Sequence, residues 1–178
     1  MMQAAVFLDR DGVLNRGVVR EGKPYPPDGL ADFSLLDGVE GAVLAFRSAG
    51  LKIIVATNQP DVATGKQSLE VVEAMHNRLR RLLPVDDIRV CYHTDADNCL
   101  CRKPKPGMLL SAAEAWHVDL SRSFMVGDRW RDVAAGVAAG CKTVFIDYGY
   151  AEKRPKAPDF IAASLADAVP FILPSIHP

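Results

Sequence analysis

Several absences narrow the function before any motif is read. No stretch of the chain approaches the roughly 20 apolar residues that a membrane-spanning helix needs. The apolar run in the N-terminal MMQAAVFLDRDG is far shorter than a secretory h-region and ends in charges. A cytoplasmic protein with no membrane partner is therefore expected. Neither sign of charge is in excess, because 21 Lys plus Arg stand against 22 Asp plus Glu, a formal net charge of −1. Proteins that grip nucleic acid carry a basic face, so nucleic acid is not an expected partner, and a zinc-stabilised nucleic-acid module is disfavoured on the same ground. No internal repeat, low-complexity segment or linker divides the sequence, so residues 1–178 are expected to form one domain and a monomer.

Cysteine is also scarce, yet three of the four, Cys91, Cys99 and Cys101, lie close together with His93. In a reducing compartment this spacing points to metal rather than disulfide. Three thiolates and an imidazole form a closed tetrahedral set with no open position for water, which fits structural zinc. Asp95 and Asp97 inside the loop are expected to shape the turn or face solvent. Cys141 stands alone in an apolar run and is expected in the core.

What is present alternates. Short β-branched or apolar runs at Ala4–Leu8, Lys52–Ala56, Ile88–Tyr92, Phe124–Val126 and Thr143–Ile146 read as strands. Helical patterns cover Val39–Ala49, Leu69–Leu83, Met108–His117, Arg131–Ala139 and about Leu165–Ile172. This alternation predicts an α/β fold, a doubly wound parallel sheet with helices on both faces. Pro24–Asp32 and Cys91–Gly107 are the longest irregular stretches.

Ligands of such sheets bind beyond the carboxyl ends of the strands. Four strand ends carry Asp9-Arg-Asp11-Gly12, Thr57-Asn58-Gln59, Cys91-Tyr-His93 and Gly127-Asp128-Arg129. A single strand-end Asp is usually a cap or turn residue, but acids, amides and metal-ligand types at all four ends together mark an active site. Asp9, Asp11 and Asp128 would repel one another unless a hard divalent cation joined them, and Mg²⁺ prefers such oxygens. With Lys103 and the Thr57 hydroxyl opposite, the set suits phosphoryl transfer, and a carboxylate can itself be the nucleophile.

The segments FLDRDGVLN, VATNQ, CRKPKPG and MVGDRWRDVAAG, in that order, resemble the four motifs of the haloacid dehalogenase superfamily of phosphatases over most of residues 4–147. The resemblance implies a haloacid dehalogenase-like Rossmannoid fold and a Mg²⁺-dependent phosphomonoester hydrolase. It casts Asp9 as nucleophile and Asp11 as the group that protonates the leaving oxygen and then activates water. Thr57 and Asn58 would hold the phosphoryl group. Lys103 would neutralise charge, with Lys105 as the alternative. Asp128 would complete the Mg²⁺ site beside Asp9 and the Asp11 main-chain carbonyl, with Asp132 in support. The motif spacing leaves no room for an inserted cap domain, so Asn15–Pro27 and the cysteine loop are expected to close the pocket.

A zinc loop on a capless member is similar to two families, the heptose-bisphosphate and the histidinol-phosphate phosphatases. The segment CRKPKPGMLLSAAEAWHVDLSRSFMVGDRWRD is nearer the former. That likeness implies a sugar bisphosphate as the small-molecule partner. The reaction would be removal of the 7-phosphate of D-glycero-D-manno-heptose 1,7-bisphosphate, on the way to ADP-heptose and lipopolysaccharide core. Histidinol phosphate and nucleic-acid ends are the alternative substrates. Two features depart from the pattern. The stretch between His93 and Cys99 is short, as in histidinol enzymes, and Pro60-Asp61 replaces the usual Ser-Gly. Pro60 lacks a backbone donor, and Asp61 tolerates the left-handed backbone such a turn would ask of it.

Asn15, Arg20, Asn58, Gln59, Arg102 and Arg129 are the candidates for substrate contact, Arg102 foremost. His76, His117 and His177 are expected to be surface or structural. Trp116 is expected to pack on its helix, Trp130 to sit at the pocket rim or in the core, and Tyr25 to anchor its loop.

Overall fold

The computed structural model of the protein describes residues 2–176; His177 lies outside them. Six strands form one parallel sheet. In chain order they are β1 (Ala5–Leu8), β4 (Lys52–Asn58), β5 (Asp87–Cys91), β6 (Phe124–Gly127), β7 (Lys142–Ile146) and β8 (Phe160–Ala162), while β2 (Val18–Arg20) and β3 (Lys23–Tyr25) pair separately as an antiparallel hairpin. The sheet order is β5-β4-β1-β6-β7-β8. Helices α1 (Val39–Ser48), α2 (Leu69–Leu82), α3 (Gly107–Trp116) and α4 (Trp130–Ala139) lie between successive sheet strands, and α5 (Leu165–Ile172) follows β8.

Parallel strands buried on both faces read as continuous apolar runs, and β1 shows why. Val6 and Leu8 join one core with Val43 and Phe46 of α1 and Met75 and Leu79 of α2. Ala5 and Phe7 face the other core, with Leu109 and Ala112 of α3. Alternation along the strand thus feeds both layers. Ser68 caps α2 by accepting from the Val71 N–H at 3.2 Å, and Ser164 caps α5 from Asp167 at 3.1 Å. Between β1 and β4 the described chain forms only the hairpin, a 3-10 turn and α1, in line with the expected absence of a cap.

Five of the six sheet strands coincide with the expected ones. β4 runs two residues further because its pairing with β5 continues to Asn58↔Cys91, so Thr57 and Asn58 belong to the strand itself. The hairpin and β8 were not expected. Each is three residues long, and β3 contains Pro24, which lacks a donor and is tolerated only where no inner ladder needs one.

Candidate active site

The turn after β1 brings two acids out of the sheet. Arg10 C=O accepts from the N–H groups of Val13, Leu14 and Asn15, and Gly12 N–H donates to Asn15 C=O at 2.8 Å. This coil forces Gly12 to φ +85°, and a Cβ there would lie 2.0 Å from Asp128 Oδ2. The glycine therefore permits both the left-handed backbone and the close approach of the β6 acid.

Lys103 stands at the centre of the site, 2% exposed. Its ammonium donates to Asp9 Oδ1 at 2.9 Å and Ala56 C=O at 2.7 Å, and pairs with Asp132 Oδ1 at 2.6 Å. All three N–H bonds are thus used. Burial works against the charged ammonium, but Asp132 and Asp9 outweigh it and raise its pKa. Asn58 clamps the segment, its amide donating to Lys103 C=O at 3.0 Å and its carbonyl accepting from Lys103 N–H at 3.1 Å. Lys105 is elsewhere. Its ammonium bonds Asn98 and the Cys99 carbonyl and so holds the cysteine loop.

The carboxylates outnumber that one cation. Ligand atoms of Asp9, Asp128 and Asp132 lie within 4.8 Å of one another, all buried. Burial above all, then the Asp132 charge, pushes Asp9 up to about 7, with Lys103 pulling the other way. Asp128 is raised too, by burial and then by Asp9 and Asp132, although the Tyr150 hydroxyl donates to its Oδ2 at 2.9 Å. Asp128 Oδ1 is buried with no partner. A crowded acid cluster with an orphaned oxygen is what a hard divalent cation would satisfy. Asp132 is fully engaged by contrast. Its Oδ1 faces Lys103, and its Oδ2 accepts from the Arg129 N–H at 3.0 Å.

The Asp11 carboxylate turns away from this cluster. It accepts from Arg10 Nε and Nη2 at 3.2 and 3.0 Å, Asn15 Nδ2 at 2.8 Å and Gln59 Nε2 at 2.8 Å. Burial would raise its pKa, but the Arg10 charge and these bonds lower it overall. Of the expected metal acids, then, Asp9 and Asp128 come together while the Asp11 side chain does not. Asn15 is fully buried and does not line the cavity, so it orients Asp11 and is not placed to touch a substrate. Gln59 also donates to Thr57 Oγ1 at 2.9 Å.

The site opens into a cavity of about 240 Å³. Lys23 and Tyr25 of the hairpin and Pro26 just after it form one wall, so Tyr25 faces the pocket. Pro60 and Asp61 line it too, without left-handed backbone at Asp61. The arginines divide. Arg20 is away from the cavity and pairs with Asp28 at 2.7 Å. Arg129 reaches the lining, but Glu152 binds its guanidinium through both carboxylate oxygens. Arg102 lines the mouth together with Arg131, which the sequence reading passed over. Asp95 holds both, Arg102 Nε at 2.8 Å and the Arg131 fork at 3.0 and 3.1 Å. Trp130 is not in the lining and lies under Lys153 and Arg131. Trp116 packs with Lys52 and donates to Asp87. Tyr150 and Glu152 follow β7, so reading that fifth strand end would have found them.

Beside Arg102, Cys91 Sγ lies 3.2 Å from Cys101 Sγ, 3.7 Å from Cys99 Sγ and 3.6 Å from His93 Nδ1. A tetrahedral ion with Zn–S of about 2.3 Å has ligand–ligand edges of about 3.8 Å, so the cluster has the size of a metal site. The Arg102 N–H points at Cys99 Sγ at 3.4 Å. Asp97 caps the loop through Thr94.

Comparison with known proteins gives a consistent picture. The HAD-hydrolase-like family model matches residues 100–168. The D-glycero-beta-D-manno-heptose-1,7-bisphosphate 7-phosphatase of Escherichia coli K12 is 37% identical over 92% of this chain and 90% of its own. The D-glycero-D-manno-heptose-1,7-bisphosphate 7-phosphatase of Thermosynechococcus vestitus is 34% identical over the whole of both chains. The crystal structure of D,D-heptose 1,7-bisphosphate phosphatase from B. bronchiseptica, complexed with magnesium and phosphate, superposes with a TM-score of 0.79 at 28% identity, covering 96% of this chain and 98% of that one.

Proposed function

Because the chain belongs to the D-glycero-D-manno-heptose-1,7-bisphosphate 7-phosphatase family of haloacid dehalogenase-like hydrolases, we propose that it removes the 7-phosphate of that sugar bisphosphate with Asp9 as nucleophile. The supporting observation is the state of Asp9. Its Oδ1 is fixed by Lys103 and by the Arg10 N–H at 2.9 Å, while its Oδ2 has no hydrogen-bond partner among the described residues. Oδ2 is the atom that would attack phosphorus, breaking the bond to the sugar oxygen and forming an aspartyl phosphate. Asp11 would give a proton to the departing oxygen and take one from the water that cleaves the acyl phosphate. With all its contacts to Arg10, Asn15 and Gln59, Asp11 stands in its basic form, suited to the second step. For the first it must take up a proton from solvent, giving up one of those donors, before it can pass that proton to the leaving oxygen. Thr57 and Lys103 would face the phosphoryl oxygens. Asp9, Asp128 and the Asp11 main-chain carbonyl would hold Mg²⁺, which when bound supplies positive charge against those oxygens.

We assign the cysteine cluster to structural zinc on its tetrahedral size and closed ligand set. Protein purified without chelator should contain about one zinc per chain, and metal analysis showing none would overturn the assignment. Cys99→Ser should lower kcat/KM about tenfold or more, because Arg102 and Lys103 leave the loop directly after Cys101.

The substrate reading rests on two cations at the mouth. The second phosphate of a bisphosphate would meet Arg102 and Arg131, already aligned by Asp95. A charge-assisted contact is worth about 1.5–3 kcal/mol, so Arg102→Ala and Arg131→Ala should each lower kcat/KM for the bisphosphate roughly 10- to 100-fold. A simple monophosphate ester should change little. Histidinol phosphate carries a cation at its far end and should be the poorer substrate. Better turnover of histidinol phosphate or of a 3′-phosphorylated oligonucleotide, or equal effects on all esters, would refute the assignment.

A further inference from the structure

Arg10, between the two catalytic-motif acids, is fully buried. A permanent cation there is tolerable only if its N–H groups are engaged. Nε and Nη2 take the two oxygens of Asp11. Nη1 reaches Nε2 of His76 on α2 at 3.1 Å. A guanidinium has donors and no acceptor, so His76 Nε2 must be the unprotonated nitrogen. The ring proton then sits on Nδ1, 3.2 Å from Glu73 Oε1. Glu73 also accepts from the Tyr92 hydroxyl at 2.5 Å. The tautomer is thereby fixed at both ends. Burial first, then the Arg10 charge, holds His76 down to about 4, so the ring is neutral.

His76 is fully buried and does not line the cavity. Filling the layer between α2 and the sheet would need only an apolar side chain of that volume. Such a residue would leave Arg10 Nη1 as a buried donor without a partner, which is costly. Asn15 and Gln59 hold Asp11 on its other sides, but two contacts to that carboxylate alone would leave the guanidinium free to swing about it. The third contact, anchored on a helix, removes this freedom. We propose that His76 is a positioning residue, which through Arg10 fixes the orientation of Asp11 for proton transfer to the leaving oxygen. The inference rests on the reading of Asp11 as acid and base.

The test uses leaving groups. The ratio kcat/KM reports the steps up to departure of the leaving oxygen. A p-nitrophenyl oxygen departs without a proton, whereas an alkyl oxygen needs one. Proton transfer typically contributes about 10²–10⁴-fold. His76→Phe keeps a ring and removes the acceptor. It should lower kcat/KM for an alkyl phosphate by about tenfold or more, in kcat rather than KM, and change p-nitrophenyl phosphate less than about threefold. His76→Gln and His76→Met are a second pair of similar length, with and without an acceptor. Gln should restore most of the alkyl activity that Met loses. These results would support the inference even if the Phe variant did not fold. Equal losses on both esters, or a Gln variant as biased as Met, would overturn it. Asp11→Asn serves as the reference. If it shows no bias between leaving groups, the reading of Asp11 itself fails. If it shows the bias and the His76 variants do not, only the role of His76 fails.

Discussion

Asp9→Asn should abolish phosphate release, by on the order of 10⁴-fold or more in kcat, in a protein that still folds. The amide keeps the shape of the carboxylate. Its oxygen can still accept from Lys103 and from the Arg10 N–H, the two donors that fix Asp9 Oδ1. What disappears is the anionic second oxygen that would attack phosphorus. Stability should not suffer. Asp9 is raised to about 7 from 3.8 because it is buried and faces Asp132, so its charge opposes the fold near neutral pH. The sign follows from linkage. Between pH 4 and 7, roughly, the folded state holds a proton that the unfolded state has released, and stability falls as pH rises through that window. In metal-free buffer at pH 8, Asp9→Asn should therefore melt no lower than the parent. Phosphate release gives the first readout and a thermal melt the second. Turnover near the parent level would refute Asp9 as nucleophile.

Lys103→Met should be nearly as damaging and, unlike the first change, should also weaken the fold. Lys103 pairs with Asp9 and Asp132 and donates to the Ala56 carbonyl. Removing one partner of a buried ion pair typically costs about 3–5 kcal/mol, because the other is left uncompensated. Here two carboxylates lose their cation together, beside a third at Asp128. A loss of about 10²–10³-fold in kcat is expected from the missing charge at the transferring phosphoryl group. Denaturant titrations with and without Mg²⁺ should show the variant gaining more from the ion than the parent does, since the ion would be the only cation left among the acids. A variant as stable as the parent without metal would mean that Lys103 does not balance the cluster.

The parts of this site that could be read in the sequence are those whose signal is local. Asp9, Asp11 and Asp128 follow strands and Thr57 lies near the carboxyl end of one, and the parallel-sheet rule sends attention there. The cysteines and His93 declare themselves by spacing. Pairings across the fold could not be read this way. Arg20, Arg129 and Arg131 look alike as letters, and only the fold shows Asp28 holding the first, Glu152 neutralising the second and Asp95 aiming the third at the pocket with Arg102. Tyr150 reaches Asp128 from 22 residues away. Asn15 read as a loop residue facing substrate, yet its bond to Asp11 turns it inward. The hairpin stayed hidden because its two strands are too short for alternation to show, although its position as a pocket wall was expected from the missing cap.

The cysteine loop has a consequence on an evolutionary scale. Cys91 closes β5 and Cys101 precedes Arg102 and Lys103, and their sulfurs lie 3.2 Å apart. The loop is thus pinched shut at its base, and what lies between is an excursion whose length hardly affects where Lys103 sits. Selection can add, delete or replace residues between His93 and Cys99 while the lysine stays on Asp9. The same excursion holds Asp95, the residue that aims Arg102 and Arg131. Lineages can therefore retune what the mouth of the pocket accepts without disturbing the chemistry beneath it. Superfamily members with a cap give that freedom to a whole inserted domain; here a few residues on a pinched loop suffice.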